Sequence, residues 1–156
     1  MRALVCHGAQ DLRLEERPDP SPGPGEVLID VAAGGVCGSD LHYFNHGGFG
    51  AVRIREPMVL GHEVSGTVRS IGQEVSSVAP GDRVAINPSR PCGTCSYCTR
   101  SEFNHCLAMR FYGSAMPFPH IQGAFSERLV VSPEQCEPVG DVSLNHAAMA
   151  EPLSVA

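Results

Sequence analysis

Four of the chain's seven cysteines, Cys92, Cys95, Cys98 and Cys106, fall within the stretch PCGTCSYCTRSEFNHC. Their pattern is C-x2-C-x2-C-x7-C. Two-residue gaps let a chain fold its sulfurs back around one ion, and zinc takes four thiolates tetrahedrally at about 2.3 Å each. A shell of four thiolates leaves no position for substrate, so such an ion would hold a loop in shape. The intervening residues are polar and turn-forming, so a lobe over residues 90–107 would have little core of its own without metal. Two readings compete with zinc: four unligated thiols, and an iron–sulfur cluster. The bacterial ferredoxin run places its fourth cysteine after three residues and before a proline. Here the gap is seven and Leu107 follows.

A second, scattered set offers different chemistry. The segments GGVCGSDLHY and VLGHEVSG each bring ligands to the end of an expected strand: the thiol of Cys37, and the imidazole of His62 directly before the carboxylate of Glu63. Such a set would leave a zinc position open for water or substrate. Asp40 would orient a ligand histidine through its second ring nitrogen, as outer carboxylates commonly do. Taken singly, none of these residues is diagnostic, since a lone Cys37 is as readily a small buried hydrophobe. His7, His46, His105, His120 and His146 have no marked spacing and read as surface or core histidines. Cys6 and Cys136 lie in expected strands and read as core.

The elements that would carry these residues are short strands. Ala3–Cys6 and Leu12–Glu15 read as a pair, and RPDPSPGPG as a stiff extended loop. EVLIDVAA alternates Val27, Ile29 and Val31 on one face, the period of a half-buried strand. GHEVSGTVRSIG, DRVAINP, AFSERLVV and CEPV read similarly. NHGGFG reads as a flexible loop, and Ser143 as the cap of a helix beginning SLNHAAMA. With 17 glycines and 13 prolines, this order of elements predicts an all-β, barrel-like body carrying a cysteine lobe.

The chain's 156 residues and 42% hydrophobic content suffice for one domain with a real core. A net charge of −6 argues against a nucleic-acid partner, which needs a basic face. No apolar run approaches the ~18 residues of a membrane span or forms a signal peptide, so a cytoplasmic location with no membrane partner is expected. Thiols there stay reduced, which favours metal over disulfides for the cysteine cluster.

Read together, the motifs resemble the zinc-containing medium-chain alcohol and polyol dehydrogenases. GHEVSGTVRSIGQEV fits that family's zinc signature, CGSDLHY its catalytic cysteine segment, and PCGTCSYC with Cys106 its structural zinc lobe. The likeness runs from Met1 to AEPLSVA. It implies a GroES-like domain over residues 1–156, a mainly β, partly open β-barrel with a four-cysteine zinc lobe and short helices, holding two zinc ions. One would be held by Cys37 and His62, with Glu63 or Glu151 completing the shell; alcohol dehydrogenases of the family carry a second cysteine ligand where this chain has Glu151. By the same resemblance Ser39 would take the substrate's hydroxyl proton, His42 would pass it towards solvent, and Tyr43 would touch the substrate. Without the family, Ser39 and His42 read as polar residues opening a short helix, Asp40 as its N-terminal anion and Tyr43 as packing.

Within the polyol branch, INPSRPCG and MRFYGSAMPFPHIQGAFSE look most like the L-idonate 5-dehydrogenases, which oxidise a sugar acid to 5-ketogluconate. Sorbitol and xylitol dehydrogenases are near neighbours. NAD or NADP is implied, yet no G-x-G-x-x-G follows a strand here, so the cofactor would bind a Rossmann domain absent from these residues. The fragment is expected to be inactive alone, and the full enzyme to be a homodimer or homotetramer acting on a small polyol or aldonate. The alternative is a non-enzymatic zinc-binding structural module.

Overall fold

A computed structural model describes residues 1–156, and strands dominate it. The chain opens with the hairpin β1 (Arg2–Gly8) and β2 (Asp11–Glu16), with Leu4 opposite Leu14. After the extended proline run come β3 (Val27–Gly35) and the helix α1 (Gly38–His46). Short strands β4 (Gly48–Phe49), β5 (Val52–Arg53) and β6 (Met58–Val59) lead into the long β7 (Glu63–Ile71). β8 (Arg83–Ile86) precedes a two-residue ribbon, β9 (Ser89–Arg90) with β10 (Arg110–Phe111). β11 (Arg128–Val131), β12 (Cys136–Pro138), α2 (Leu144–Ala147) and α3 (Ala150–Val155) complete the chain.

Five strands make an antiparallel sheet in the order β11-β3-β7-β8-β12, and a smaller sheet has the order β2-β1-β6. Val27 and Ile29 are buried completely, against Val64, Val68, Val84 and Val131, but the strict alternation read in EVLIDVAA does not hold: Leu28 is buried as well and Val31 only half-buried. Each such aliphatic side chain contributes about 1.5–3 kcal/mol by leaving water. A second cluster of Cys6, Tyr43, Met58, Leu60 and Ala115 lies beneath α1. Phe125 packs against both clusters and joins the two sheets into one body. Cys6 and Cys136 are core residues, as their strand positions imply.

The structure departs from the sequence reading at NHGGFG. Asn45 and His46 finish α1, Gly47 caps it at φ 66°, and Gly48 starts β4. A Cβ on Gly48 would lie 2.1 Å from the Val52 carbonyl oxygen, so glycine is what lets this tight ribbon close. Ser143 accepts the His146 N–H at 3.3 Å as an N-cap should, although the helix it starts breaks after Ala147.

Candidate metal centres

The β9–β10 ribbon forms the neck of the cysteine lobe, and residues 91–109 are the excursion between its strands. The sulfurs of Cys92, Cys95, Cys98 and Cys106 all lie within 4.8 Å of one another. Cys92 Sγ and Cys98 Sγ are 4.0 Å apart. That is about twice a disulfide bond and close to the edge, roughly 3.8 Å, of a tetrahedron of sulfurs around zinc. The backbone N–H of Cys95 donates to Cys92 Sγ at 3.4 Å, and that of Cys92 to Cys106 Sγ at 3.2 Å. Hydrogen bonds from the Thr94 and Cys95 amides pull the Cys92 thiol down to about 6. Burial pushes Cys98 up to about 12. Loops that aim amides at sulfur are built for thiolates, and the donor set fits zinc.

The second cluster is assembled by strand register. Gly35, the last residue of β3, pairs with Glu63, the first of β7. Two residues past the one end stands Cys37; one residue before the other stands His62. Their ligand atoms, with that of Glu63, converge within 4.8 Å. A buried carboxylate fastens the two segments: Asp40 accepts the Cys37 N–H on Oδ2 and the Gly61 N–H on Oδ1, each at 3.0 Å. Asp40 therefore holds backbone on both sides of the site, where the sequence reading had it orienting a histidine ring. Gly61 sits at φ 90°, and a Cβ there would lie 2.3 Å from the Phe125 ring. A Cβ on Gly35 would fall 2.1 Å from Glu63 Oε2, so a larger residue there would displace that carboxylate.

His62 and Glu63 are only 6% and 7% exposed, and neither forms a hydrogen bond or ion pair within the chain. A carboxylate stripped of most of its water and given no donor favours a cation that neutralises it. A thiolate, an imidazole and a carboxylate facing one point are a set that zinc accepts while keeping a position open.

Of the three, His62 lines a cleft of about 160 Å³ together with Ser39, Tyr43, Phe49, Phe111 and Ser114, among others. The Phe111 ring lies 5.2 Å from that of His62, tilted by 59°. Tyr43 shows the cleft its ring, while its buried hydroxyl accepts the Ala115 N–H at 3.0 Å. Burial raises that phenol above its ordinary range. Exposed His42 stands one turn along α1 from Ser39, 6.0 Å from the Phe49 ring, and does not line the cleft. Glu151 stands on α3, where it lines a different hollow with Ile86, Asn87 and Ser154, outside the Cys37 group.

The sequence profile of the alcohol dehydrogenase GroES-like domain matches residues 23–141. The chain belongs to that family. As a member of the alcohol dehydrogenase GroES-like domain family, it is 48% identical to the L-idonate 5-dehydrogenase (NAD(P)(+)) of Escherichia coli over 131 residues, 83% of this chain and 38% of that protein. It is 43% identical to the sorbitol dehydrogenase of Gallus gallus over 154 residues, 98% of this chain and 42% of the relative. The crystal structure of L-idonate 5-dehydrogenase from Escherichia coli superposes with a TM-score of 0.91 at 42% identity, covering 99% of this chain and 44% of that one. Galactitol-1-phosphate dehydrogenase from Escherichia coli gives 0.86 at 30% identity, covering 99% and 43%. The chain thus spans about two fifths of the length of the relatives it matches.

Within this GroES-like domain, sequence reasoning missed the aromatic wall of Phe49 and Phe111. Both arrive on two-residue strands too short to show a period. The one available signal for Phe111 is its place in the strand that must return the chain from the cysteine lobe.

Proposed function

We propose that this domain is the catalytic part of a zinc-dependent oxidoreductase that oxidises a secondary alcohol of a polyol or sugar acid, with L-idonate at C5 as the preferred substrate. The observation that carries this reading is the convergence of Cys37, His62 and Glu63 on one point, with His62 also lining the cleft that presents Ser39. Zinc held there would supply Lewis acidity to a substrate hydroxyl. The Ser39 hydroxyl accepts the proton leaving the alcohol, and His42, one helical turn further towards solvent, hands it to water. Phe49 and Phe111 exclude water from the reacting carbon, and Tyr43 shapes the floor. The four-cysteine lobe holds a second zinc with no open position. The hydride acceptor is NAD or NADP, carried by residues outside this chain, so the chain alone does not sustain turnover.

Cobalt substitution tests the site without requiring activity. A cobalt-loaded chain should show a thiolate charge-transfer band that Cys37→Ala weakens, and L-idonate should shift its ligand-field bands at lower concentration than sorbitol does. Bands indifferent to both alcohols would sink the substrate assignment. Sustained NAD(P)H production by the purified chain would refute the need for a further domain.

A further inference from the structure

All eleven basic side chains other than histidine are arginines. Nine of them have partners. Arg2, Arg13, Arg17, Arg69, Arg100 and Arg128 form ion pairs. Arg53 and Arg83 donate to backbone carbonyls, and Arg55 lies over the Phe118 ring. The remaining two, Arg90 and Arg110, have neither an acid nor a carbonyl, and they stand directly opposite each other across the β9–β10 ribbon. Like charges at such a position repel, and a ribbon of two residue pairs has little else to offset them. In a chain of net charge −6, leaving two adjacent guanidinium groups without a counter-charge is a departure that a ligand would explain.

The two side chains leave the same face of the ribbon and line one hollow of about 100 Å³ with Tyr112 and Gln135. Arg90 and Gln135 also line a larger cavity of about 520 Å³, to which Asn87, Ser89, Asn104 and Ser132 contribute polar groups. That volume lies within the usual range for small-molecule sites, roughly 300–1,000 Å³. Glu134 shares this cavity without pairing to Arg90. Alternation along β10 turns Arg110 away from Phe111, whose ring faces His62, so the arginine pair sits behind the wall of the alcohol cleft.

We propose that Arg90 and Arg110 form a binding site for a small free oxyanion, the phosphate or carboxylate group of a soluble metabolite, at the neck of the cysteine lobe. Two planar forks converging on one anion give the bidentate recognition in which arginine excels. The occupant offsets the cross-strand repulsion and so tightens the ribbon that carries Phe111.

Inorganic phosphate is the probe. Titrated into the zinc-loaded chain at low salt, it should shift the Arg90 and Arg110 side-chain NMR signals saturably, with a millimolar Kd. Arg90→Gln and Arg110→Gln should each weaken binding roughly tenfold, while Arg53→Gln should leave it unchanged. Both arginines are exposed, so these variants should fold. Absence of saturable binding, or an equal loss in Arg53→Gln, would overturn the proposal. Light scattering separates the other source of the same chemistry. A dimer that the double variant dissociates and phosphate does not would assign the pair to an acidic side chain of a second copy, and would overturn a metabolite site.

Discussion

All four sulfurs of the lobe come from one continuous loop closed by a two-residue ribbon, whereas Cys37, His62 and Glu63 come from the ends of two long strands. The lobe buries almost nothing: of its cysteines only Cys98 is buried, and Phe103 and Leu107 are 49% and 71% exposed. The open site instead rests on the main sheet, with Asp40, His62 and Glu63 all buried. One centre therefore owes its shape to its ligands, and the other receives its shape from the fold. Metal loss should unmake the first and merely empty the second.

The largest effect follows from that asymmetry. Structural zinc contributes on the order of 10 kcal/mol to the folding of small metal-held units. Cys106→Ser should therefore leave residues 91–109 open to proteolysis and fast amide exchange, while β3 and β7 stay protected. Exchange mapped by mass spectrometry checks this. Simultaneous loss of protection in β3 and β7 would show that the lobe is no separate unit. Next in size, Cys37→Ala should lower the zinc content of the dialysed chain by about one ion and leave lobe protection unchanged. Elemental analysis beside the same exchange map decides it.

Asp40→Asn probes the fold's side of the comparison. Asparagine keeps one acceptor and turns an NH2 group against either the Cys37 or the Gly61 N–H. Removing a buried charged acceptor from two backbone donors should cost about 2–3 kcal/mol. Denaturant unfolding should show that cost, metal at the open site should weaken with it, and the lobe should be indifferent. An unchanged midpoint would mean that the strands hold the two segments without the carboxylate.

The same contrast explains what was legible in the sequence. The lobe's spacing is local, so C-x2-C-x2-C-x7-C was sufficient to group its cysteines. The long strand at Val27–Gly35 was readable from its β-branched residues Val27, Ile29 and Val31, although its burial does not keep the strict period of two, since Leu28 is buried too. Cys37 and His62 gained meaning only as part of a whole set of motifs, since the Gly35–Glu63 register that joins them leaves no local mark. Asp40's bond to the Cys37 N–H is the capping-box contact that its place in the first turn of α1 allows, whereas its bond to the distant Gly61 N–H leaves no local mark. Phe49, Phe111 and the Arg90–Arg110 pair were silent, because a two-residue ribbon has no period at all. Gly47 hid the end of α1 inside an apparent loop, since a left-handed cap and a flexible turn call for the same residue.

The smallest effect sharpens the comparison from the lobe's side. Thr94 Oγ1 donates to Cys92 Sγ at 3.7 Å from an exposed position, and the Cys95 N–H supplies the same sulfur at 3.4 Å. Thr94→Val keeps the shape and removes only the longer contact, so it should cost less than about 1 kcal/mol. Competition with a chromophoric chelator would read this as a severalfold change in lobe affinity at most. One lost hydrogen bond then matters far less here than at Asp40, because the remaining amides and the metal itself still define where the sulfurs sit. A cost equal to that of Asp40→Asn would mean that the lobe, too, depends on a preformed scaffold, and the distinction between the two centres would fail.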